Sequence, residues 1–263
     1  MLAELPLLTL ATWGSATLLT LVCLCHLLVF GQFRVYRFFT LYLFVNVLQS
    51  VGGALLYQRY GFASRFAWNV MWASQAFVVI ARALAATEIC FLTLGKYKGI
   101  WRLAAKMIGA SGILVLALAL FFGRKQYQFA VLILEIGLEA SIATAVAGLL
   151  LFARYYGVRI LPATQRLALG LGLLSCLKIL NDLVVERFAT SYVSTWSDVS
   201  SGVFIAMLLI WLWALRQPDA LRLTEPSLSP SHVYESLIPE VNQRLRDLNE
   251  QLDRLWPMES PKS

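Results

Sequence analysis

Charged residues are scarce in this sequence. Of its 263 residues, 14% are Asp, Glu, Lys or Arg and 59% are hydrophobic. Soluble domains carry about 25% charged residues, and about half of their residues are apolar. The scarcity of charge excludes an ordinary soluble domain. It indicates an integral membrane protein whose first partner is the lipid bilayer.

Histidine is scarcer still: His26 lies in an apolar run and His232 lies near the C-terminus. A bis-histidine haem or a zinc-dependent hydrolase site needs more histidine than an apolar bundle with His26 alone provides. The cysteines all lie in apolar runs, and Cys23 and Cys25 are about 200° apart around a helix, so they cannot bind the same ion. We therefore expect no haem and no zinc site.

Catalytic motifs are also missing. The sequence has no Gly-rich phosphate loop and no Ser/His/Asp arrangement with a base in reach, so we predict that the protein is not an enzyme. The net charge of +7 does not indicate nucleic-acid binding, because the positive residues lie mainly in short gaps between apolar runs. That distribution is typical of membrane topology, and no nucleic-acid partner is expected.

Long apolar runs are what the sequence does contain. A helix needs about 20 apolar residues to cross the hydrocarbon core of a bilayer. Seven runs qualify, and they cover residues 7–30, 38–57, 67–94, 103–122, 127–153, 166–186 and 197–215. The predicted fold is therefore all-α, a polytopic membrane protein with a seven-transmembrane-helix bundle over residues 1–216.

The gaps between the runs predict an orientation. Gaps on one side carry roughly twice as many Lys and Arg residues as gaps on the other side, and the richer side should be cytoplasmic. The N-terminus is then outside and the C-terminus is cytoplasmic. The outside gaps are short, so they leave no room for an extracellular binding domain, and any external ligand would enter the bundle. No asparagine lies in a glycosylation sequon, which fits a bacterial inner membrane, the expected location.

Six ionisable residues nevertheless lie well inside the runs. Each costs about 3 kcal/mol near the middle of a bilayer, so they should face the bundle interior and mostly pair. Amide side chains lie at similar depths. The predicted intramembrane polar site comprises Arg82, Glu88, Glu135, Glu139, Lys178 and Asp182, together with Asn46, Gln49 and Asn181.

Spacing relates some of these charges to each other. Lys178 and Asp182 are one helical turn apart, so they share a face and can form an ion pair. Glu135 and Glu139 share a face too, where two carboxylates repel unless a cation joins them or one is protonated. Two interpretations stay open: a structural clamp between helices, or a site for a ligand, an ion or a proton.

A buried lysine also raises the possibility of a bound retinal. A microbial rhodopsin needs its retinal lysine in the seventh helix, but the run 197–215 has no lysine and Lys178 lies in the sixth run. The motifs of eukaryotic seven-helix receptors do not match either. Retinal is therefore not expected, and the identity of any other cofactor stays open.

The C-terminal segment has a different pattern. Residues 217–231 read as a Pro/Ser-rich linker, 232–257 as a cytoplasmic amphipathic or coiled-coil helix, and 258–263 as a disordered tail. Apolar residues recur there in a heptad pattern. This predicted partner-binding seam, called the α8 seam below, comprises Tyr234, Ile238, Val241, Leu245, Leu248, Leu252 and Leu255.

Three destinations for this helix are possible: a second copy of the chain, the bundle or a partner protein, and the membrane surface. Acidic residues slightly outnumber basic ones over 239–256, which counts against an anionic membrane surface. Self-association or partner docking is therefore preferred.

With a polar interior and a cytoplasmic helix, the leading hypothesis is a sensor or receptor-like signalling protein. A small proton- or ion-coupled transporter and a structural subunit of a membrane complex are the alternatives.

Overall fold

The structure is a computed structural model of the chain. It describes residues 7–61, 64–95, 97–123, 127–156, 158, 160–188, 193–216 and 234–255. Side chains are described within these ranges except at 7–10, 127–128, 182–188, 193–198, 234–241 and 253. The predicted linker 217–231 and tail 258–263 lie outside the described residues.

The described residues form eight α-helices and one short 3-10 helix, Gln32–Arg34, and they contain no strand. The helices are α1 Leu7–Val29, α2 Arg37–Tyr60, α3 Arg65–Leu94, α4 Lys98–Phe122, α5 Tyr127–Tyr155, α6 Pro162–Phe188, α7 Val193–Leu215 and α8 Tyr234–Leu255. The all-α prediction is thereby confirmed.

Six helices, α1 to α6, are long and apolar enough to cross a membrane. In α7 the part assessed, Val199–Leu215, is apolar but shorter. Large apolar side chains face outward, for example Ile113, which is 71% exposed on α4. A helix surface of this kind is stable against lipid and costly in water, so the chain is an integral membrane protein with several membrane-spanning helices.

Helix α3 occupies the centre of the bundle, where it contacts α2, α4, α5 and α6. Helix α1 contacts both α2 and α7, and α7 in turn contacts α6. Helix α4 packs mainly on α5 and is the least buried of the six candidate spans, while α3 is the most buried. The central position explains why α3 can carry a charged residue that lipid would not tolerate.

Helices α6 and α7 approach each other closely at Gly170. A Cβ atom at this position would overlap the indole ring of Trp211, which is fully buried. Phe39 and Tyr42 of α2 also contact this indole in edge-to-face geometry. Their ring centroids lie 5.2 and 6.2 Å from the centroid of the Trp211 ring. The lack of a side chain at Gly170 is thus what allows one tryptophan to fill the space between α2, α6 and α7.

We call one end of the bundle the α8 end. It is the end at which α1, α3, α5 and α7 terminate. There Gln32 donates a hydrogen bond to the Leu215 carbonyl oxygen over 2.9 Å, which joins the α1–α2 connection to α7. The Tyr36 hydroxyl lies 3.0 Å from the Thr164 hydroxyl and so joins the same connection to α6. Burial raises the pKa of Tyr36, so its hydroxyl stays neutral in this contact.

Helix α8 packs on the N-terminal part of α4 at this end. Within the α8 seam, Leu245 is 3% exposed, and Leu248 and Leu252 pack against the same buried cluster. The Gly99 N–H donates to Asn249 Oδ1 over 2.5 Å. Docking on the bundle is therefore the arrangement present in the structure, while binding to a second copy or a partner protein stays a prediction.

The C-terminal end of the seam is not covered by the bundle, since Leu255 is 70% exposed. The side chains of Tyr234, Ile238 and Val241 lie outside the described residues. Because Leu245 is covered by the bundle, a partner could reach the whole seam only after α8 had left α4.

The docking of α8 depends on the absence of a side chain at Gly99. A Cβ atom there would lie 2.9 Å from the Asn249 carbonyl oxygen and 3.0 Å from Leu252 Cβ. We expect Gly99→Leu to detach α8 and to raise the hydrogen exchange of amides 242–255 strongly, with the bundle still folded. Gly109→Leu, where nothing lies within 4 Å, is the matched control on the same helix. Equal exchange in the two variants would show that α8 is not held at Gly99.

Candidate functional site

The central feature of the bundle is an ion pair between Arg82 of α3 and Glu139 of α5. Their side chains are 2% and 0% exposed. The guanidinium also lies over the ring of Tyr42, 5.3 Å from its centroid. A single buried charge carries a large desolvation penalty, which the opposite charge of its partner offsets here. The pair thus ties α3 to α5.

A second polar contact extends from the same region. Gln75 donates to Glu135 Oε1 over 2.6 Å. Gln49 of α2 in turn donates to Gln75 Oε1 over 3.0 Å and lies 3.2 Å from the Ser74 hydroxyl. The predicted residues Gln49 and Glu135 therefore belong to one hydrogen-bond network that crosses α2, α3 and α5. Glu139 lies one turn from Glu135 on α5 and contacts Arg82 instead.

A cavity of about 280 Å³ lies beside this network. It is formed between α2, α3, α6 and α7. Its described lining consists of Asn46, Gln49, Gln75, Val78, Arg82, Leu174, Leu177, Lys178, Asn181, Ser200, Ser201 and Phe204. The structure thus brings five of the predicted site residues, Asn46, Gln49, Arg82, Lys178 and Asn181, to one space.

A second cavity of about 290 Å³ adjoins the first. Both are bordered by Asn46, Ser201 and Phe204. The rest of the second lining comes from α1 and α2 and consists of Thr12, Trp13, Ala16, Thr17 and Ser50. The two cavities therefore lie side by side, and the lining is more polar near Lys178 than near Trp13.

Lys178 is the unusual member of the lining. It is half-buried, and among the described residues it has no hydrogen bond and no ion pair. The side chain of Asp182, its predicted partner, lies outside the described residues. The Lys178–Asp182 pair therefore stays a prediction, while the position of Lys178 at the cavity wall is established.

Glu88 has a different role from the other predicted site residues. Its Oε2 accepts hydrogen bonds from the backbone N–H groups of Phe38 and Phe39, both over 3.0 Å. These groups are in the first turn of α2, where N–H groups have no partner within the helix and a negative charge is favourable. Glu88 caps α2 from the neighbouring helix, and it is not part of the described cavity lining.

Three polar residues of the site were not predicted. Gln75, Ser200 and Ser201 line the cavity, and the Ser200 hydroxyl is buried without a hydrogen-bond partner among the described residues. Gln75 could have been predicted as a site residue. It lies seven residues before Arg82, and residues seven apart on a helix share a face. The serines had none, since isolated serines are common in membrane helices and mostly bond to their own backbone.

In the described part of the chain, no group of three His, Cys, Asp or Glu side chains is placed to hold a metal ion.

Comparisons with models of protein families, with curated proteins and with solved structures find no match to this chain. The function of the cavity has to be inferred from its own residues.

Proposed function

We propose that the chain is a sensor or receptor-like membrane protein that binds a small ligand in the cavity between α2, α3, α6 and α7. Occupation of the cavity changes the packing of α8 on α4, and a partner protein or a second copy binds the released α8 seam. In this proposal the bundle of residues 1–216 spans a bacterial inner membrane seven times, with its N-terminus outside and α8 in the cytoplasm. It carries out no catalysis.

The observation that carries the proposal is the cavity lined by Lys178. A purely structural network gains most when every buried polar group is paired, because an unpaired one costs about 1–3 kcal/mol. Arg82 and Glu139 form an ion pair, but Arg82 Nε and Glu139 Oε2 have no hydrogen-bond partner among the described residues. The Ser200 hydroxyl is also unpaired there, and Lys178 is half-buried without a described counter-charge. Arg82, Lys178 and Ser200 all border a space large enough for a small molecule.

A continuous packed core connects the cavity with α8. Val78 lines the cavity, and it belongs to the same cluster of contacting buried residues as Leu245 of α8. Between them the cluster runs along α3 through Ile89 and Leu94 and includes Ile100 of α4. Such a close-packed core responds to a change at one end by shifting whole helices.

Filling the cavity by mutation tests the coupling. Ser201→Phe places a ring at the junction of the two cavities and imitates an occupant. Gly202→Phe, at an exposed neighbouring position with nothing within 4 Å, is the matched control. We expect Ser201→Phe, but not Gly202→Phe, to change the hydrogen exchange of amides 242–255 in lipid nanodiscs by several-fold. Unchanged exchange in a folded Ser201→Phe protein would refute the coupling.

A proton- or ion-coupled transporter is the second candidate. The contact series from Gln49 through Gln75 to Glu135 favours it, because it links the cavity wall to a carboxylate that is 6% exposed. This function requires flux in liposomes that Glu139→Gln and Asp182→Asn abolish. A sensor shows no such flux, so a single liposome assay separates the two.

A further inference from the structure

The described lining of the two cavities carries positive charge only. Arg82 and Lys178 are its basic residues, and no described carboxylate borders either cavity. Arg82 is already neutralised by Glu139, while Glu135 is not part of the described lining and accepts a hydrogen bond from the lining residue Gln75. The charge left without a counter-charge among the described residues is that of Lys178, and the ligand that complements it is an anion.

The lining also contains residues with donors for a planar acceptor group. Arg82 and Ser200 line the cavity, and each has a buried donor, Nε and the hydroxyl, without a hydrogen-bond partner among the described residues. The amide of Asn46 borders both cavities. A carboxylate has two oxygens that accept several hydrogen bonds, so it can satisfy an ammonium and amide or hydroxyl donors together.

Apolar side chains form much of the remaining lining, beside Thr12, Thr17 and Ser50 in the second cavity. Phe204 stands at the junction of the cavities, Leu174 and Leu177 flank Lys178, and Trp13 and Ala16 line the second cavity. An inorganic anion would leave this surface empty. A ligand with an apolar body gains about 25 cal/mol per Å² of apolar surface that it buries there.

From these three features we infer that the cavity binds a small organic carboxylate with a compact apolar body, its carboxylate at Lys178 and its body toward Phe204 and Trp13. This rests on the proposed function, because it names the ligand class of that same cavity. A cationic ligand is disfavoured, since it would place a third positive charge beside Lys178 and Arg82 with no described carboxylate in the lining to receive it.

Matched probes of one shape and three charges test the ligand class. They are phenylacetate, the neutral phenylacetamide and the cationic 2-phenylethylamine, each titrated against the thermal unfolding of the full chain in nanodiscs. We expect phenylacetate to stabilise the wild type in a dose-dependent manner. We expect phenylacetamide to bind at least about tenfold more weakly, since a charge-assisted hydrogen bond is about twice as strong as a neutral one. We expect 2-phenylethylamine and acetate to give no stabilisation.

Variants locate the probe. Lys178→Gln should weaken phenylacetate binding about tenfold or more, while Lys178→Arg retains it. Leu173→Ala, at an exposed position of the same helix, should have no effect. Asp182→Asn should bind phenylacetate as well as the wild type or better, because the sequence predicts that Asp182 competes for Lys178. Weaker binding by Asp182→Asn would contradict the inference.

The remaining outcomes separate this inference from the proposed function. If the neutral or cationic probe stabilises as well as phenylacetate and Ser201→Phe blocks it, the cavity is a ligand site and the ligand class is wrong. If none of the probes stabilises the protein, the carboxylate class is refuted. The exchange experiment on Ser201→Phe, which needs no ligand, then decides the proposed function by itself.

Discussion

Replacing Arg82 with methionine should destabilise the bundle by about 3–5 kcal/mol, because it leaves a carboxylate unpaired in an apolar interior. Glu139 is 0% exposed, and Arg82 is its ion-pair partner. Glu139→Leu should cost a similar amount for the converse reason. The double variant Arg82→Met/Glu139→Leu should regain much of the loss, since apolar side chains of similar volume replace a buried pair at little cost.

The measurement is the free energy of unfolding in mixed micelles, with Arg59→Met as the control. Arg59 lies at an exposed position in the last turn of α2, and its replacement should change stability by less than about 0.5 kcal/mol. Two results would contradict the expectation: a single variant as stable as the wild type, or a double variant no better than the singles. Either would mean that Arg82 and Glu139 do not depend on each other.

Gly170→Val should be the other severe substitution. The added carbons would overlap the indole of Trp211, which is fully buried and held from the α2 side by Phe39 and Tyr42. Overpacking of this kind typically costs about 1–3 kcal/mol, and two rigid helices with an enclosed ring offer little room to relax. We expect a loss at the upper end of that range, measured in the same unfolding assay.

A compensating change distinguishes the clash from a general effect of valine in a helix. Trp211→Leu should be destabilising alone because it empties a large buried volume, yet it should restore Gly170→Val toward the wild type. Gly202→Val is the control on α7, because nothing lies within 4 Å of Gly202. Simple addition of the two losses in the double variant would show that Gly170 and Trp211 do not share a contact.

The helices were predictable because their signal is local. The run 7–30 became α1, Leu7–Val29, and the run 67–94 became α3, Arg65–Leu94. Helix α6 begins four residues earlier than its run, at Pro162, since proline is well suited to a first turn although it ends the apolar pattern. Hydropathy alone cannot detect such polar helix ends.

The partners of the polar residues were not predictable, because they depend on how each helix is rotated within the bundle. The sequence placed Arg82 and Glu139 at similar depths, and a similar depth is equally compatible with several other pairings. Glu88 bonds the first turn of α2, a contact between residues 50 and 49 apart in the chain that no local pattern indicates.

The surface on which α8 packs was not predictable from the sequence either. Heptad spacing predicted a helix over 232–257 and its apolar side, and the described helix is Tyr234–Leu255. Spacing does not say which surface an apolar side meets. The surface is α4 around Gly99, where a missing side chain allows the close approach. A lone glycine in an apolar run could equally be a lipid-facing one such as Gly109.

The most direct measurement of the link between cavity and tail is the distance from α4 to α8 with the cavity empty and filled. Spin labels at Lys98→Cys and Gln251→Cys, both exposed positions, report it by pulsed EPR in nanodiscs after replacement of the native cysteines. We expect one narrow distance for the free protein. Saturating phenylacetate should shift or broaden it in the wild type and leave it unchanged in Lys178→Gln. An unchanged distance in a protein that phenylacetate demonstrably stabilises would contradict the proposal that the cavity controls α8.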